Sequence, residues 1–283
     1  MIVKNYEIKS DLTLNLSHLT PDSNNKAPIL LFIHPTGFTG NMFSSVGAHL
    51  RNMNIFTLDL RSHGASQRGD VSNWHFLAKD LTSVFDFLKN LTGQNKFYGI
   101  GISSGSSALA LHASMHSDDF HGLYLCEPIV FPPNADLSMR DILSNSAKNR
   151  RANFDSREMV YERFSSRGAL SNLNKSSIAL YAKYGFKTDN EEVTLRCNKE
   201  DEEAIYISGT SNSLWDSLKS IKIRSNIVYG ELSNTMDPKK AEEIAGQIPN
   251  STTECLKGVG HFTLFENPTF GAESISSFIA QDK

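Results

Sequence analysis

The chain has 283 residues, 39% of them hydrophobic, and a formal net charge of -3. This length fits two average domains or one large α/β domain with an insertion, and the small charge gives no electrostatic reason to expect nucleic acid or a membrane as partner. The cysteines Cys126, Cys197 and Cys255 are widely spaced and odd in number, which argues against a disulfide framework and a C-x-x-C metal site. We therefore expect no metal site. The N-terminus carries no apolar signal segment, which predicts a cytoplasmic protein.

The first elements predict the edge and the centre of one sheet. Residues 3–9 and 12–19 alternate between apolar and polar side chains, which favours two antiparallel edge strands. Residues 29–33 are continuously apolar, as is typical of a parallel strand buried on both faces. This strand leads into a loop with the sequence His34-Pro35-Thr36-Gly37-Phe38-Thr39-Gly40.

A second buried strand and two helices are predicted next. Residues 41–52 indicate a helix, and residues 55–58 a buried strand that ends in the motif D-x-R-x-H-G-x-S at residues 59–66. Residues 74–91 place apolar side chains at helical spacing opposite a polar face, which predicts a helix that covers the sheet.

The stretch Gly101-Ile102-Ser103-Ser104-Gly105 follows the predicted strand 96–100 and precedes the small-residue helix 106–115. A strand, a G-x-S-x-G turn and a helix in this order form a nucleophile elbow, in which the glycines avoid collisions where strand and helix cross. Ser103 is therefore the candidate nucleophile. Its hydroxyl needs a histidine and a carboxylate from elsewhere in the chain to become reactive.

A serine nucleophile also needs backbone N–H groups that stabilise the negative oxygen of the tetrahedral intermediate. Ser104, directly after the nucleophile, supplies one, and the loop after residues 29–33 supplies the other. Pro35 has no N–H, so Thr36 is the preferred second donor and Phe38 the alternative.

The second half of the chain contains an apparent insertion. Residues 122–126 predict a strand that ends at Glu127, and residues 134–219 then change to amphipathic helical stretches, at 157–167 and 176–184, without strands alternating with them in βαβ fashion. Strands resume at 221–229 and 253–256, and a closing helix is predicted over 270–279.

These motifs together resemble the α/β-hydrolase superfamily. The strand followed by D-x-R-x-H-G-x-S lies one strand before the elbow, and the loop H-x-T-G-F-x-G is similar to that of a serine-nucleophile branch with a helical cap. The usual R-G-H-G reads R-S-H-G here. The resemblance covers residues 28–131 and 221–280. In this superfamily the D-x-R-x-H-G-x-S loop is mainly structural, so Asp59, Arg61 and His63 are not expected to be catalytic.

The resemblance implies an α/β fold: a mostly parallel central sheet with flanking helices and an inserted, mainly helical cap. The core domain is then predicted at residues 1–131 and 221–283, and the cap at 132–220. Because the superfamily orders its triad as nucleophile, acid and histidine, the base is expected at His261, after the last strand.

The position of the acid is less direct. The superfamily usually carries it in a G-x-x-D pattern after the next-to-last strand, but this chain has Ser233 at that place. Glu127, at the end of the strand after the elbow, is a position from which some members supply the acid, and it is preferred. Asp237, farther along the longer loop, is the alternative.

The expected function is that of a serine hydrolase that needs no cofactor, forms an acyl-enzyme intermediate and acts on a carboxylic ester or a related small acyl compound. A C–C bond hydrolase, a lactonase or an acyltransferase would use the same triad. A non-catalytic ligand receptor built on a hydrolase fold is the remaining alternative. The expected partner is a small molecule, with neither nucleic acid nor a membrane, and the oligomeric state is left open.

Overall fold

The structure is a computed structural model that describes residues 3–24, 26–133, 135–189, 192–209 and 214–281. The strands in chain order are β1 (Lys4–Lys9), β2 (Thr13–His18), β3 (Ile29–Ile33), β4 (Asn54–Asp59), β5 (Phe97–Ile102), β6 (Phe120–Cys126), β7 (Asn153–Phe154), β8 (Phe186–Asp189), β9 (Glu192–Leu195), β10 (Arg224–Gly230) and β11 (Ser251–Leu256). The helices are α1 (Ser44–Gly47), α2 (His75–Thr92), α3 (Ser104–Met115), α4 (Ser138–Asn149), α5 (Arg157–Ser166), α6 (Lys175–Tyr184), α7 (Lys199–Ser208), α8 (Leu214–Ser217), α9 (Pro238–Ala245), α10 (Thr263–Glu266) and α11 (Pro268–Ala280).

The main sheet has eight strands in the order β1-β2-β4-β3-β5-β6-β10-β11. The pairings of β1 with β2 and of β2 with β4 are antiparallel, and the remaining pairings are parallel. Every residue of β3 and of β4 is buried, as expected for apolar strands covered on both faces. The carboxyl ends of β3, β5, β6 and β10 therefore meet at one edge of the sheet. This topology confirms the predicted fold class.

Apolar side chains fill both faces of the sheet. One cluster joins α2, α3 and α9 to the sheet, with Leu81 and Leu109 among its buried members. The opposite cluster joins α11 and the segment after β3, with Phe43 and Phe278 among its members. The helix predicted over residues 41–52 is wrong in extent, because only a 3₁₀ turn at Gly40–Phe43 and the single turn α1 form there. Two serines and Gly47, all weak helix formers, account for the short helix.

The inserted segment, residues 132–220, holds the helices α4 to α8 and a small antiparallel sheet of three strands in the order β7-β9-β8. The predicted helices at 157–167 and 176–184 correspond to α5 and α6, whereas the sheet was not predicted. Its strands have two to four residues, too few for a periodic pattern. The exact boundaries of the predicted cap stay a prediction.

Within the described ranges, no helix combines the length and the apolar character needed to cross a membrane.

Candidate active site

Ser103 occupies a tight turn between β5 and α3. Its backbone has φ 55° and ψ -121°, a conformation that residues other than glycine rarely adopt. The neighbouring glycines make the turn possible, since a Cβ on Gly101 would lie 2.5 Å from a backbone nitrogen of α3 and one on Gly105 would lie 2.3 Å from the carbonyl oxygen of Ile33. The side chain of Ser103 is thereby presented at the carboxyl edge of the sheet.

Glu127 is a second residue with a positive φ, of 44°, and it directly follows β6. Its N–H donates to the carbonyl oxygen of Val228 at 2.8 Å, so the chain stays attached to β10 while it turns. The residue is 1% exposed. A non-glycine residue held in this backbone region costs of order 1–3 kcal/mol of stability, and such residues cluster at functional sites. Ser103 and Glu127 place two of them at one edge of the sheet, after the adjacent strands β5 and β6.

The carboxylate of Glu127 lies against His261. Its Oε2 is 2.6 Å from Nδ1 of the imidazole. The same oxygen accepts from the hydroxyls of Ser233 at 2.7 Å and Thr235 at 2.5 Å, while Oε1 accepts the N–H of Gly230 at 3.0 Å. Burial alone would raise the pKa of the carboxyl, but the hydrogen bond and charge of the imidazole, with the hydroxyl and N–H donors, bring it below its ordinary value. Glu127 is thus held as a carboxylate.

Asp237, the alternative acid, is directed elsewhere. It is the N-cap of α9, and its Oδ1 accepts the N–H of Lys240 at 2.8 Å. The residue is exposed. A carboxylate in this role satisfies a free N–H of the first helical turn, which explains its presence without any catalytic role. The structure therefore brings Glu127, and not Asp237, to the histidine.

The loop that carries His261 is itself fixed by a carboxylate. Glu266 accepts the N–H of Gly260 at 2.7 Å and the N–H of Phe262 at 3.0 Å, which are the residues on either side of the histidine. Burial raises the pKa of Glu266 above its ordinary value, although these two donors oppose the shift. No sequence pattern predicts this role, because a glutamate near the start of a predicted helix is common.

The loop between β3 and α1 lies beside the elbow, with its N–H groups already engaged. The N–H of Thr36 donates to Ser104 Oγ at 2.8 Å, and the Thr36 hydroxyl donates to the same oxygen at 2.9 Å. The N–H of Phe38 donates to Pro35 at 3.2 Å, and that of Gly37 to His63 Nε2 at 3.0 Å. The structure therefore places Thr36 next to Ser104, as a shared oxyanion site requires, but with its N–H occupied by a hydroxyl.

Two buried histidines brace this loop in their neutral form. Nε2 of His63 accepts the Gly37 N–H, and Nε2 of His34 accepts the N–H of Leu60 at 3.0 Å. Each Nδ1 must then carry the proton, donated to the carbonyl of Arg61 and of Pro35 respectively. Burial lowers the pKa of His34 to about 4, and burial together with the charge of His34 lowers the pKa of His63 to about 3.

This bracing predicts a loss of stability in acid. A histidine with a depressed pKa contributes stability that is fully present above its unfolded pKa, about 6.5, and is lost as pH falls towards the folded value. The free energy of unfolding, from denaturant titrations, should therefore fall by several kcal/mol, in order of magnitude, between about pH 6.5 and pH 4. His63→Gln should flatten that slope, and the exposed His75→Gln should not. If the free energy of unfolding fell with pH as steeply in His63→Gln as in the wild type, His63 would be protonated in the folded protein without loss of stability.

A buried ion pair joins the inserted segment to the same loop. Arg150 Nη1 lies 2.5 Å from Glu202 Oε2, and Arg150 Nη2 lies 2.6 Å from the hydroxyl of Tyr181. The side chains of Arg150 and Glu202 are 17% and 7% exposed. Glu202 also touches the loop, since a Cβ on Gly37 would lie 3.0 Å from its Oε1. The pair therefore connects α7 and the end of α4 to the candidate oxyanion loop.

Breaking this pair should lower stability strongly. Glu202→Gln leaves the Arg150 guanidinium buried without its counter-charge, which costs about 3–5 kcal/mol in comparable pairs. The matched control is Glu243→Gln, because Glu243 pairs at 3.9 Å with the exposed Lys239 on a helix surface, where such pairs contribute only about 0.5 kcal/mol. Denaturant unfolding of the two variants measures the difference. Equal, small losses in the free energy of unfolding of both variants would mean that water solvates the Arg150 guanidinium once Glu202 has lost its charge.

Aromatic side chains connect the candidate oxyanion loop, the loop that carries His261 and the inserted segment. The ring of Phe38 lies 4.8 Å from that of Phe262 and 5.3 Å from that of Tyr181, measured between centroids. Phe262 is half-buried beside His261. On the other side of the elbow, Ile129 is held by two hydrogen bonds of 2.8 Å to the hydroxyl of Ser107. The candidate site thus has an aromatic wall beside His261, and the backbone at Ile129 is fixed to α3.

Among the described residues, no group of His, Cys, Asp and Glu side chains is arranged to hold a metal ion. The polar groups at the sheet edge are instead hydrogen-bonded to one another, as the contacts of Glu127 illustrate.

Known proteins share the fold of this chain and part of its sequence. The chain is 22% identical over 270 residues to monoacylglycerol lipase abhd6-A of Xenopus laevis, with 90% of this chain and 76% of the relative covered. Among solved structures, E-2-(acetamidomethylene)succinate hydrolase superposes with a TM-score of 0.84 at 17% identity, covering 99% of both chains. The thioesterase domain from the curacin biosynthetic pathway superposes with a TM-score of 0.78 at 17% identity, covering 99% of this chain and 100% of its own.

The sequence profile of the alpha/beta hydrolase fold matches residues 28–268, from the start of β3 to the start of α11. Both the order of the strands and the elbow at the carboxyl end of β5 agree with that match. The chain belongs to the alpha/beta hydrolase fold family.

Proposed function

We propose that the protein is a serine hydrolase that cleaves a carboxylic ester or a related small acyl substrate through a Ser103–His261–Glu127 triad. The observation that carries the proposal is the pairing of Glu127 Oε2 with His261 Nδ1 at 2.6 Å, at the same sheet edge as the half-buried Ser103 and its tight turn. Nucleophile, base and acid come from three separate segments that end at one edge of the sheet, in the chain order of this superfamily's triads except for the early acid.

In the first half of the reaction, Ser103 Oγ attacks the carbonyl carbon while its proton passes to His261 Nε2. Glu127 keeps its charge and stabilises the imidazolium through Nδ1–H. The imidazolium then gives the proton to the leaving alkoxide, which departs as an alcohol and leaves the acyl group on Ser103. In the second half, water repeats the attack with His261 again as base, and the carboxylic acid is released.

The negative oxygen of each tetrahedral intermediate would be stabilised by the N–H groups of Ser104 and Thr36. The N–H of Ser104 belongs to the first turn of α3, where backbone donors have no intrahelical acceptor. The Thr36 N–H has to leave Ser104 Oγ before it can serve the oxyanion. A change in the χ1 rotamer of Ser104 would move Oγ away from this N–H. Phe38 remains the alternative donor, and its N–H makes the longer bond, of 3.2 Å to Pro35.

Residues 132–220 are proposed to act as a cap over this site. Support comes from the contacts of Glu202 and Arg150 with Gly37, and from the packing of Tyr181 on Phe38. A cap of this kind excludes water and shapes an acyl pocket between the aromatic wall and Ile129. The ester specificity is supported by the name of the Xenopus relative, a monoacylglycerol lipase.

A substrate panel tests the proposed reaction. It contains p-nitrophenyl esters of increasing acyl length, a lactone, a thioester and a vinylogous diketone for C–C cleavage, each with a Ser103→Ala control. We expect the highest kcat/KM for a p-nitrophenyl ester. Adding an alcohol tests acyl transfer, since an acyltransferase would form the new ester faster than the free acid. Tight binding without turnover of any compound would instead indicate a ligand receptor.

A further inference from the structure

The loop after β10 departs from the pattern of the superfamily in a way that the structure explains. Ser233 stands where the acid is usually found, and its Oγ lies 2.7 Å from Glu127 Oε2. Two residues later, the Thr235 hydroxyl lies 2.5 Å from the same carboxylate oxygen and 2.8 Å from His261 Nδ1. The loop therefore reaches both the acid and the base with hydroxyl groups. We call Ser233 and Thr235 the hydroxyl clamp.

We infer that the hydroxyl clamp, and Thr235 above all, positions the Glu127 carboxylate on His261 and is required for full turnover. This inference rests on the proposed function of the triad. Thr235 and Ser233 are positioning residues, because they act on the reaction only through Glu127 and the histidine ring.

The available protons assign the direction of each hydrogen bond. Nδ1–H of the imidazole donates to Glu127 Oε2, and a carboxylate can only accept, so the Thr235 hydroxyl donates its single proton to the same oxygen. A lone pair of Thr235 Oγ1 then faces Nδ1–H at 2.8 Å. Thr235 consequently contacts both partners and restricts rotation of the carboxylate relative to the imidazole.

The clamp is itself rigid. Ser233 Oγ accepts the N–H of Thr235 at 3.2 Å and the N–H of Met236 at 3.4 Å, and it lies 3.0 Å from Thr235 Oγ1. A serine hydroxyl that accepts the backbone N–H groups after it forms a local turn that fixes its own position. The two hydroxyls are therefore held by the loop in the place where Glu127 meets them.

Charge explains why this loop carries hydroxyls here. An aspartate at position 233 would place a second carboxylate within about 3 Å of Glu127 Oε2, and two carboxylates this close cannot both stay ionised. A hydroxyl at the same place donates to Glu127 and adds no charge. The departure from G-x-x-D is thus compatible with an acid directly after β6, whereas an aspartate at 233 would not be.

The test compares Thr235→Val, which keeps the shape and removes the hydroxyl, with Thr235→Ser, which keeps the hydroxyl. Hydrogen bonds to charged groups contribute enough to change a rate by about 10- to 100-fold. We therefore expect Thr235→Val to lower kcat by about 10- to 100-fold with KM changed by less than about 3-fold, and Thr235→Ser to stay within about 3-fold of wild type. Thr253→Val, at an exposed position of β11, is the matched control and should leave kcat unchanged.

Two further readouts separate positioning from packing. In a Glu127→Gln background, Thr235→Val should cost little more, because the group that Thr235 positions has already lost its charge. The Nδ1 proton of His261 should also give a proton NMR signal downfield of the amides, identified by its loss in His261→Ala. Thr235→Val should shift or broaden this signal, and Thr235→Ser should retain it.

The inference is overturned if Thr235→Val keeps both the wild-type kcat and the NMR signal. It is also overturned if Thr235→Val lowers kcat by the same factor in the wild-type and the Glu127→Gln backgrounds and Thr235→Ser lowers it as much. Thr235 would then serve packing alone. Failure of the proposed function has a different signature, namely a wild-type protein without turnover of any ester. In that event the NMR signal decides alone, and an unchanged signal in Thr235→Val overturns the clamp.

Discussion

Replacing Ser103 by alanine should lower kcat for the best p-nitrophenyl ester by on the order of 10⁶-fold. The change removes the only atom that forms the acyl-enzyme, while a turn that accommodates serine at φ 55° also accommodates alanine. The melting temperature should therefore stay close to that of the wild type. Residual hydrolysis would come from substrate binding and the N–H donors alone.

The matched control for this prediction is Ser114→Ala on α3, the helix that follows Ser103. Ser114 Oγ donates to the carbonyl of Leu111 at 2.7 Å and has no contact with the elbow. Its kcat should equal that of the wild type. If Ser103→Ala hydrolysed esters as fast as Ser114→Ala does, the acyl-enzyme mechanism would be wrong and another nucleophile, or an activated water, would have to be sought.

Glu127→Gln should have the second largest effect and lower kcat by on the order of 10⁴-fold. The amide keeps the size of the side chain but removes the charge that stabilises the imidazolium, and its NH₂ group can face Nδ1 and favour the wrong tautomer. Asp237→Asn should change kcat by less than about 3-fold, because asparagine is as good an N-cap for α9 as aspartate. Steady-state kinetics of both variants, with melting temperatures, give the comparison.

A large loss of kcat in Asp237→Asn, with little change in Glu127→Gln, would assign the acid to Asp237. It would also require the loop after β10 to rearrange when substrate binds. Loss of activity in Glu127→Gln together with a collapse of the melting temperature would indicate a folding role. Glu127→Asp then distinguishes the folding role from the catalytic role, because the shorter carboxylate keeps the charge but loses the 2.6 Å contact with His261 Nδ1.

Local sequence patterns were sufficient for the sheet and the elbow. The run Ile29–Ile33 is apolar because both faces of β3 are covered, and Gly101 and Gly105 mark a crossing that admits no side chain. Such features depend on nearest neighbours along the chain and are therefore visible in a single sequence. The resemblance to a family then placed His261 after the last strand, where the structure has it facing Glu127.

Other features depend on segments far apart in the chain. The hydrogen bond of Glu127 to Val228 joins residues about a hundred positions apart, and the contact of Glu202 with Arg150 joins residues that no motif connects. The role of Thr235 needed the positions of both Glu127 and His261. The sequence contained one usable sign of this loop, the serine at 233, but only the structure showed which carboxylate the serine serves.

The oxyanion loop illustrates a third limit. Sequence reasoning selected Thr36 by excluding Pro35, and the structure places that residue against Ser104. The orientation of the Ser104 hydroxyl is set by a balance between hydrogen bonds of similar strength, which no sequence pattern encodes. The donor role of Thr36 stays a prediction, and it applies to the enzyme with substrate bound.

Labelling with a fluorophosphonate followed by mass spectrometry tests the central claim most directly. An activated serine displaces fluoride from phosphorus and keeps the phosphonyl group, so the adduct marks the nucleophile without any assumption about substrate. We predict one adduct per chain on the peptide that contains Ser103, absent from Ser103→Ala and from heat-denatured protein, and formed much more slowly in His261→Ala. No adduct on native wild-type protein, or an adduct on another residue that persists in Ser103→Ala, would contradict the assignment of Ser103 as the nucleophile.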